Sequence, residues 1–299
     1  MRIVVTGGPG QLVLSMQERA ATHGQTVIAV GPPTLDLATP DDDAIRAALA
    51  AAAPDAIVNA AAHTAVDKAE SERDLAFAIN AHGAGAVARA ARALGVPLVH
   101  ISTDYVFAGD KPRPYTETDA TGPTGVYGAS KLAGEDAVLA SGADAAILRT
   151  AWVYSPFGAN FAKTMLRLAA SRDEVGVVAD QHGCPTSALD LADAAMAVAA
   201  NLRSRADPAL RGLFHATGSG EGSWADFATA IFADSAAAGG PSARVRAITT
   251  AEYPTPAQRP ANSRLDCRKL AGIHGVTLPD WRASCRTVVT RLVADNSYL

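Results

Sequence analysis

The sequence predicts an α/β protein built on a Rossmann-like, doubly wound parallel sheet, with helices on both faces and a smaller C-terminal substrate-binding region. Three observations predict it. Short apolar runs alternate with longer helical patterns, a glycine-rich turn joins the first run to the first helix, and Tyr127 and Lys131 stand four residues apart at the head of a later helix.

Ile3-Val4-Val5 is a short apolar strand, and Thr6-Gly7-Gly8-Pro9-Gly10-Gln11-Leu12 turns from it into a helix running from Leu12 to Ala21. Glycines there leave backbone N–H groups open at a helix N-terminus, where they attract a diphosphate. Gly7 and Gly10 fit the turn G-x-x-G-x-x-G, but Val13 holds the third position, where glycine lets helix and strand pack closely. Looser helix–strand packing is expected. Val27-Ile28-Ala29-Val30 is the second strand. Its end, Gly31-Pro32-Pro33, carries neither a carboxylate for an adenosine ribose nor an arginine for a 2′-phosphate, so NADH and NADPH both stay open. Asp36-Leu37 becomes the candidate lining of an adenine pocket. A helix over 41–53, strand Ala56-Ile57-Val58, a helix over 72–94 and strand Leu98-Val99-His100-Ile101 continue the alternation, and right-handed crossovers make the sheet doubly wound.

Ligands of such a sheet bind beyond the carboxyl ends of its strands. Asn59-Ala60-Ala61-Ala62-His63-Thr64 offers small residues against which a dinucleotide would lie, with His63 by itself reading as structural. Ser102-Thr103-Asp104 brings a hydroxyl able to hydrogen-bond a substrate carbonyl. Arg149-Thr150-Ala151-Trp152-Val153-Tyr154, after strand 145–148, brings aromatic groups suited to a ring or a sugar face. The Y-x-x-x-K spacing puts Tyr127 and Lys131 on one helical face. A free phenol, with a pKa of about 10, rarely ionises near neutral pH, and a neighbouring ammonium lowers that value. The pair therefore suits proton exchange with a carbonyl or alcohol oxygen, and Lys131 is also able to hold a ribose hydroxyl.

The remainder is less regular, with a helix over 160–170, a strand at 176–178 and a helix over 189–202. Residues 1–154 are expected to form the nucleotide-binding domain, with 187–217 returning to it, and 155–186 with 218–299 the smaller domain. Ser223 suits the N-cap of a following helix. The loops at His182–Thr186 and Arg259–Asp266 carry groups able to contact a phosphorylated ligand.

A chain of 299 residues buries a substantial core without staples. Its formal net charge of −4, with scattered Lys and Arg, gives no field for nucleic acid or an anionic membrane. Cys184, Cys267 and Cys285 are odd in number and widely spaced, which suggests neither disulfides nor zinc. No apolar run approaches membrane-spanning length and no basic n-region precedes the first strand, so a cytoplasmic location is expected.

Taken together, T-G-x-x-G, N-A-A-A, S-T-D-Y-V-F and Y-x-x-x-K resemble the extended short-chain dehydrogenase/reductase superfamily. Within it, V-N-A-A-A-H-T-A-V-D-K-A-E, W-V-Y, N-F-A-K-T-M-L-R-L-A, D-Q-x-G-x-P-T and R-P-x-N-S-x-L-D, in that order over residues 1 to about 270, resemble the dTDP-4-dehydrorhamnose reductase family. The resemblance implies NADPH- or NADH-dependent reduction of a nucleotide-sugar 4-keto group for cell-envelope polysaccharide synthesis. It implies Tyr127 as proton donor, Lys131 as ribose holder, Thr103 as carbonyl partner and Asn80 as a structural asparagine supporting a relay water. It further implies cofactor contacts at Gly7, Gly10, Gln11, Leu12, Asp36, Leu37, Ala62, His63 and Thr64, and sugar-nucleotide contacts at Thr103, Asp104 and Trp152, with Arg259 as a diphosphate partner. Some members dimerise through a metal held by glutamates, one of them in the first helix; Ser15 stands there, so no metal site is expected and a homodimer stays open. Two alternatives remain: a non-catalytic regulatory subunit like that of methionine adenosyltransferase, and a reductase or epimerase of another nucleotide sugar.

Overall fold

Strand and helix alternate from the start of the chain. In the computed structural model, which describes residues 1–298, β1 (Arg2–Thr6) leads through the glycine turn into α1 (Gln11–Arg19). β2 (Thr26–Val30), α2 (Asp42–Ala51) and β3 (Ala56–Asn59) follow. Short helices α3 (Val66–Ala69) and α4 (Arg73–Phe77) precede a π-helical turn at Ala78–Gly83 and α5 (Ala84–Leu94). Next come β4 (Leu98–Thr103), α6 (Val126–Ala140), β5 (Ala145–Thr150) and β6 (Val153–Tyr154). α7 (Phe161–Ala169), β7 (Glu174–Val178), β8 (His182–Gly183), β9 (Thr186–Ser187) and α8 (Ala188–Ser204) lead to β10 (Gly212–His215). β11 (Gly222–Ser223), α9 (Trp224–Ala237), β12 (Arg244–Ile248), α10 (Arg268–His274) and α11 (Trp281–Ala294) complete the order.

Six strands pair in the order β10-β5-β4-β3-β1-β2, and every pairing is parallel. The order reverses between β1 and β3, so the crevice of the sheet opens where the glycine turn and the Asn59 strand end meet. The pleat sends alternate residues to opposite faces. Ile3, Val5, Val58 and Leu148 pack with Met16 of α1 and Leu191 of α8. Val4, Ile57, Leu98 and Ile147 pack with Ile45 of α2 and Val87 of α5. Helices therefore cover both faces.

Another core lies apart from this sheet. Leu166 of α7, Val177 of β7, Ile231 of α9 and Val289 of α11 pack around Tyr154 and Trp281, and β7 pairs in parallel with β12. Leu270 and Leu278, from the stretch expected to belong wholly to the smaller region, sit instead in the sheet core with α8.

Local departures from the expected elements have physical causes. Val13 is not held off at the helix–strand contact; it is 4% exposed, in one core cluster with Ile3 and Val5. The helix expected over 72–94 is interrupted by the π-helical turn that contains Asn80. α6 packs directly on that turn, for a Cβ on Gly134 would lie 2.0 Å from the Asn80 carbonyl oxygen. The Ser223 hydroxyl accepts from Asp226 N at 3.0 Å while Asp226 accepts from Ser223 N at 2.8 Å, closing a capping box at α9. The three cysteines are free. Among the described residues, no helix is long and apolar enough to cross a membrane.

Candidate active site

The glycine turn is set by backbone geometry. Gly7 has φ +122°, a region closed to most side chains, and its N–H donates to the Val30 carbonyl at 2.9 Å, tying the turn to β2. Gly10 is the N-cap of α1 with no side chain bonded there, the first turn of α1 holds no acidic residue, and nothing lies within 4 Å of a Cβ built on Gly8. An uncapped helix N-terminus with space before it fits a dinucleotide diphosphate. Beside it lies a cavity of about 410 Å³ lined by Gly8, Pro9, Val30, Gly31, Pro32 and Thr34 among others, none of its lining residues charged.

Several expected cofactor residues are placed differently from their sequence reading. The Gln11 amide oxygen accepts from the Ser155 hydroxyl at 3.0 Å, so Gln11 faces the diphosphate position with its backbone rather than a free side chain. Leu12 is half-buried against the sheet core. Leu37 is a core side chain and Asp36 is exposed, accepting from Ala38 N at 2.9 Å; both follow the β2 end, whose Pro32 and Thr34 line the cavity.

A polar ladder crosses the sheet next to the turn. Thr6, Asn59 and His100 are register neighbours on β1, β3 and β4, each fully buried. The Thr6 hydroxyl donates to Asn59 Oδ1 at 2.6 Å and accepts from Ala61 N at 3.3 Å, and Asn59 Nδ2 meets His100 Nδ1 at 3.0 Å. Burial, and the Lys131 charge nearby, hold His100 well below its ordinary pKa.

Tyr127 and Lys131 occupy the first turns of α6, as their spacing requires. Lys131 is buried, its Nζ donating to the Ile101 carbonyl at 2.7 Å. Burial pulls Lys131 down to about 8, with Glu135 acting to raise it. Tyr127 departs from expectation: burial pushes its hydroxyl up to about 12, Thr103 pulling it down and Asp104 pushing it up. The desolvation of the ring outweighs any help from the lysine, which is anchored on β4. Thr103 donates to Asp104 Oδ1 at 3.0 Å and accepts from Tyr105 N at 3.2 Å, so orienting a substrate carbonyl requires its hydroxyl to rotate away from Asp104. Asp104 is 4% exposed, its Oδ2 has no partner, and burial raises its pKa to about 6, with Ser263 and Thr103 acting to lower it.

Behind the lysine, Glu135 joins three elements. It accepts from Ser102 Oγ at 2.5 Å and from Arg149 Nε at 2.9 Å on Oε1, and from Arg149 Nη2 at 2.6 Å on Oε2. Ser102 and Arg149 are register partners on β4 and β5. Arg149 stacks over Phe107, 4.9 Å from the ring centroid, and its Nη1 has no partner.

Asn80 is fully committed. Its Oδ1 accepts from His63 N at 2.8 Å and its Nδ2 donates to the His63 carbonyl at 3.1 Å and to Ser130 Oγ at 2.9 Å. Asn80 thereby ties the 61–64 loop to α6, its backbone carbonyl lying against Gly134. His63 Nε2 meets Glu72 at 2.7 Å while its buried Nδ1 has no partner; Ala62 is half-buried and Thr64 exposed on the same loop. Arg259 Nη2 donates to Asp67 at 2.7 Å, and its buried Nη1 has no partner. Trp152 adopts φ +50° and stacks on Trp224 at 3.6 Å and 9°.

Glu135, Ser102, His100 and Trp224 carry weight that sequence reasoning did not assign. Glu135 had a signal, since it stands one turn beyond Lys131 on the same helical face. So did Arg149, a charge directly after the apolar run 145–148. Trp224 had none, because its partner Trp152 is 72 residues away.

Comparison with known proteins agrees with this geometry. The family described as RmlD substrate binding domain matches residues 1–294. A dTDP-4-dehydrorhamnose reductase of Sinorhizobium fredii is 50% identical over 295 residues, covering 99% of both chains. The crystal structure of a Clostridium acetobutylicum dTDP-4-dehydrorhamnose reductase superposes with a TM-score of 0.89 at 38% identity, covering 98% of this chain and 99% of that one. A Bacillus anthracis dTDP-4-dehydrorhamnose reductase, in complex with NADP, gives 0.88 at 35% identity over 97% of this chain and 99% of that one.

Proposed function

Because this chain belongs to the RmlD substrate binding domain family, we propose that it reduces the 4-keto group of dTDP-4-dehydro-L-rhamnose with NAD(P)H, giving dTDP-L-rhamnose, and that Tyr127 donates the proton. The observation that supports the reading is that Tyr127 and Lys131 share the first turns of α6 while Lys131 bonds to the Ile101 carbonyl of β4 and Thr103, at the end of β4, acts on the Tyr127 hydroxyl.

The bound reduced nicotinamide supplies the hydride. The chain's own residues handle everything else. Burial keeps the Tyr127 phenol protonated at neutral pH, the state a donor needs in the reducing direction. A sugar alkoxide is a stronger base than a phenolate, so the proton moves readily from Tyr127 to the 4-oxygen. Lys131, fixed by one N–H on the Ile101 carbonyl, keeps others for a ribose hydroxyl, and its charge stabilises the phenolate that donation leaves. Thr103 turns its hydroxyl to the carbonyl oxygen. The glycine turn, with Gly7, Gly10 and the Gln11 and Leu12 amides, receives the diphosphate of the cofactor, and the 62–64 loop lines its path. Asp104, Trp152 and the free Nη1 of Arg259 receive the sugar nucleotide. The excess of 30 acidic over 26 basic residues gives no positive field for a nucleic-acid partner.

The test is NAD(P)H oxidation by purified protein with dTDP-4-dehydro-L-rhamnose. Turnover supports the reading. Cofactor binding without turnover favours a regulatory subunit, and turnover only with another nucleotide sugar reassigns the substrate.

A further inference from the structure

The Trp152 indole is covered on both faces. A Cβ built on Gly183 would lie 2.4 Å from its Cε2, with Cζ2 and Nε1 at 2.7 and 2.8 Å. Both outer neighbours of that ring-fusion carbon lie farther from the added Cβ than the carbon itself, which places Gly183 above the ring plane, not at its rim. Trp224 stacks in parallel with a centroid separation of 3.6 Å. Two groups at those distances cannot share one face, so Gly183 and Trp224 sandwich the indole. The sugar-stacking face expected from sequence is therefore closed, and Trp152 has only its edge to present.

Both jaws come from one small unit. β8 and β11 pair antiparallel, Gly222 opposite Gly183 and Ser223 opposite His182, and Trp224 follows as the first residue of α9. The Ser223–Asp226 capping box fixes that helix start, and Phe161 of α7 backs Trp224 at 4.6 Å. The held residue is backbone-strained, for φ +50° is unfavourable to a tryptophan and persists only where surroundings enforce it.

We infer that Trp224 and Gly183 are positioning residues that clamp Trp152 edge-on as a rigid wall of the sugar-nucleotide site. The wall selects substrates by shape rather than by stacking, and it is set by the core of α7, α9 and α11 rather than by the sheet that binds the cofactor. The inference rests on the proposed contact between Trp152 and substrate.

Trp224→Ala, Trp224→Phe, Gly183→Ala and Trp152→Ala separate the possibilities. With dTDP-4-dehydro-L-rhamnose as the varied substrate, Trp224→Ala and Gly183→Ala are expected to raise KM roughly tenfold with a smaller change in kcat. Trp224→Phe, which keeps a stacking ring, is expected to recover most of that loss. NADPH affinity, read by its own fluorescence, is expected to stay unchanged in all four, which also verifies folding of the nucleotide half. The far-UV circular dichroism couplet of the stacked indoles is expected in wild type and absent from Trp224→Ala. A lost couplet with unchanged KM in Trp224→Ala, while Trp152→Ala raises KM, overturns the clamp alone. Unchanged KM in both Trp224→Ala and Trp152→Ala overturns the substrate contact of Trp152 and the clamp with it.

Discussion

Glu135 holds the Arg149 guanidinium with both carboxylate oxygens in a pair whose side chains are each 2% exposed. The same carboxylate also holds Ser102, so one group ties together the helix of Tyr127 and Lys131, the strand ending in Thr103, and the strand preceding Trp152.

Removing that charge has two expected effects. Glu135→Gln leaves the buried Arg149 cation uncompensated and is expected to cost about 3 kcal/mol of stability, measured by urea unfolding. Glu135 also raises the pKa of Lys131, which burial has lowered to about 8. The lysine cation stabilises the phenolate left by proton donation, so kcat/KM is expected to fall in wild type as pH rises through about 8. In Glu135→Gln that alkaline limb is expected at lower pH. An unmoved limb would separate Glu135 from the chemistry and leave it a structural role only.

Tyr127→Phe removes the donor and little else. Turnover is expected to fall by about 10²- to 10⁴-fold, with NADPH binding retained. Turnover close to wild type would take the proton-transfer role away from Tyr127.

Asp104 binds its proton more tightly when folded, its pKa standing at about 6 against an ordinary 3.8. Its contribution to stability is therefore full below pH about 4 and is lost as pH rises through about 6. Asp104→Asn keeps the shape and removes the titration. The variant is expected to be about 2 kcal/mol more stable than wild type at pH 8, with little difference at pH 4. Denaturant midpoints at the two pH values check this, and equal midpoints at pH 8 would contradict it.

The cavity beside β2 has no charged residue in its lining, so kcat/KM for NADPH and NADH is expected to differ by less than about tenfold. Thr34, exposed in that lining, is where a charge would reach a 2′-phosphate. Thr34→Arg is expected to raise the NADPH-to-NADH ratio about tenfold. A ratio that does not move would place the adenosine elsewhere.

What the sequence made legible was whatever depends on local pattern. The glycine turn, the alternating strands and the Tyr127–Lys131 spacing are each contained within a few residues, and the sheet follows from their repetition. The cap at Ser223 was legible for the same reason. Contacts between distant segments were not. The π-helical turn at Asn80 packs against Gly134, 54 residues later, a contact that no local pattern reveals. The rise of the Tyr127 pKa needs the burial of the ring, whereas spacing reveals only the charge four residues on. The burial of the Leu37 side chain in the core with α5 likewise depends on residues far along the chain.

The ladder of Thr6, Asn59 and His100 has a direction. The Thr6 hydroxyl receives the Ala61 proton and so must give its own to Asn59, which turns the amide nitrogen toward His100. His100 Nδ1 is thereby an acceptor, and the ring proton resides on Nε2, an atom with no other partner. Burial and the Lys131 charge lower the His100 pKa, which favours the neutral ring. A hydroxyl at the mouth of the nucleotide turn thus fixes the orientation of a dipole two strands away, in the neighbourhood of Lys131. Thr6→Val, which changes no group in contact with that lysine, frees the amide to flip and the imidazole to exchange its proton, so the electrostatic surroundings of the proton-transfer pair are set in part from the cofactor's side of the sheet.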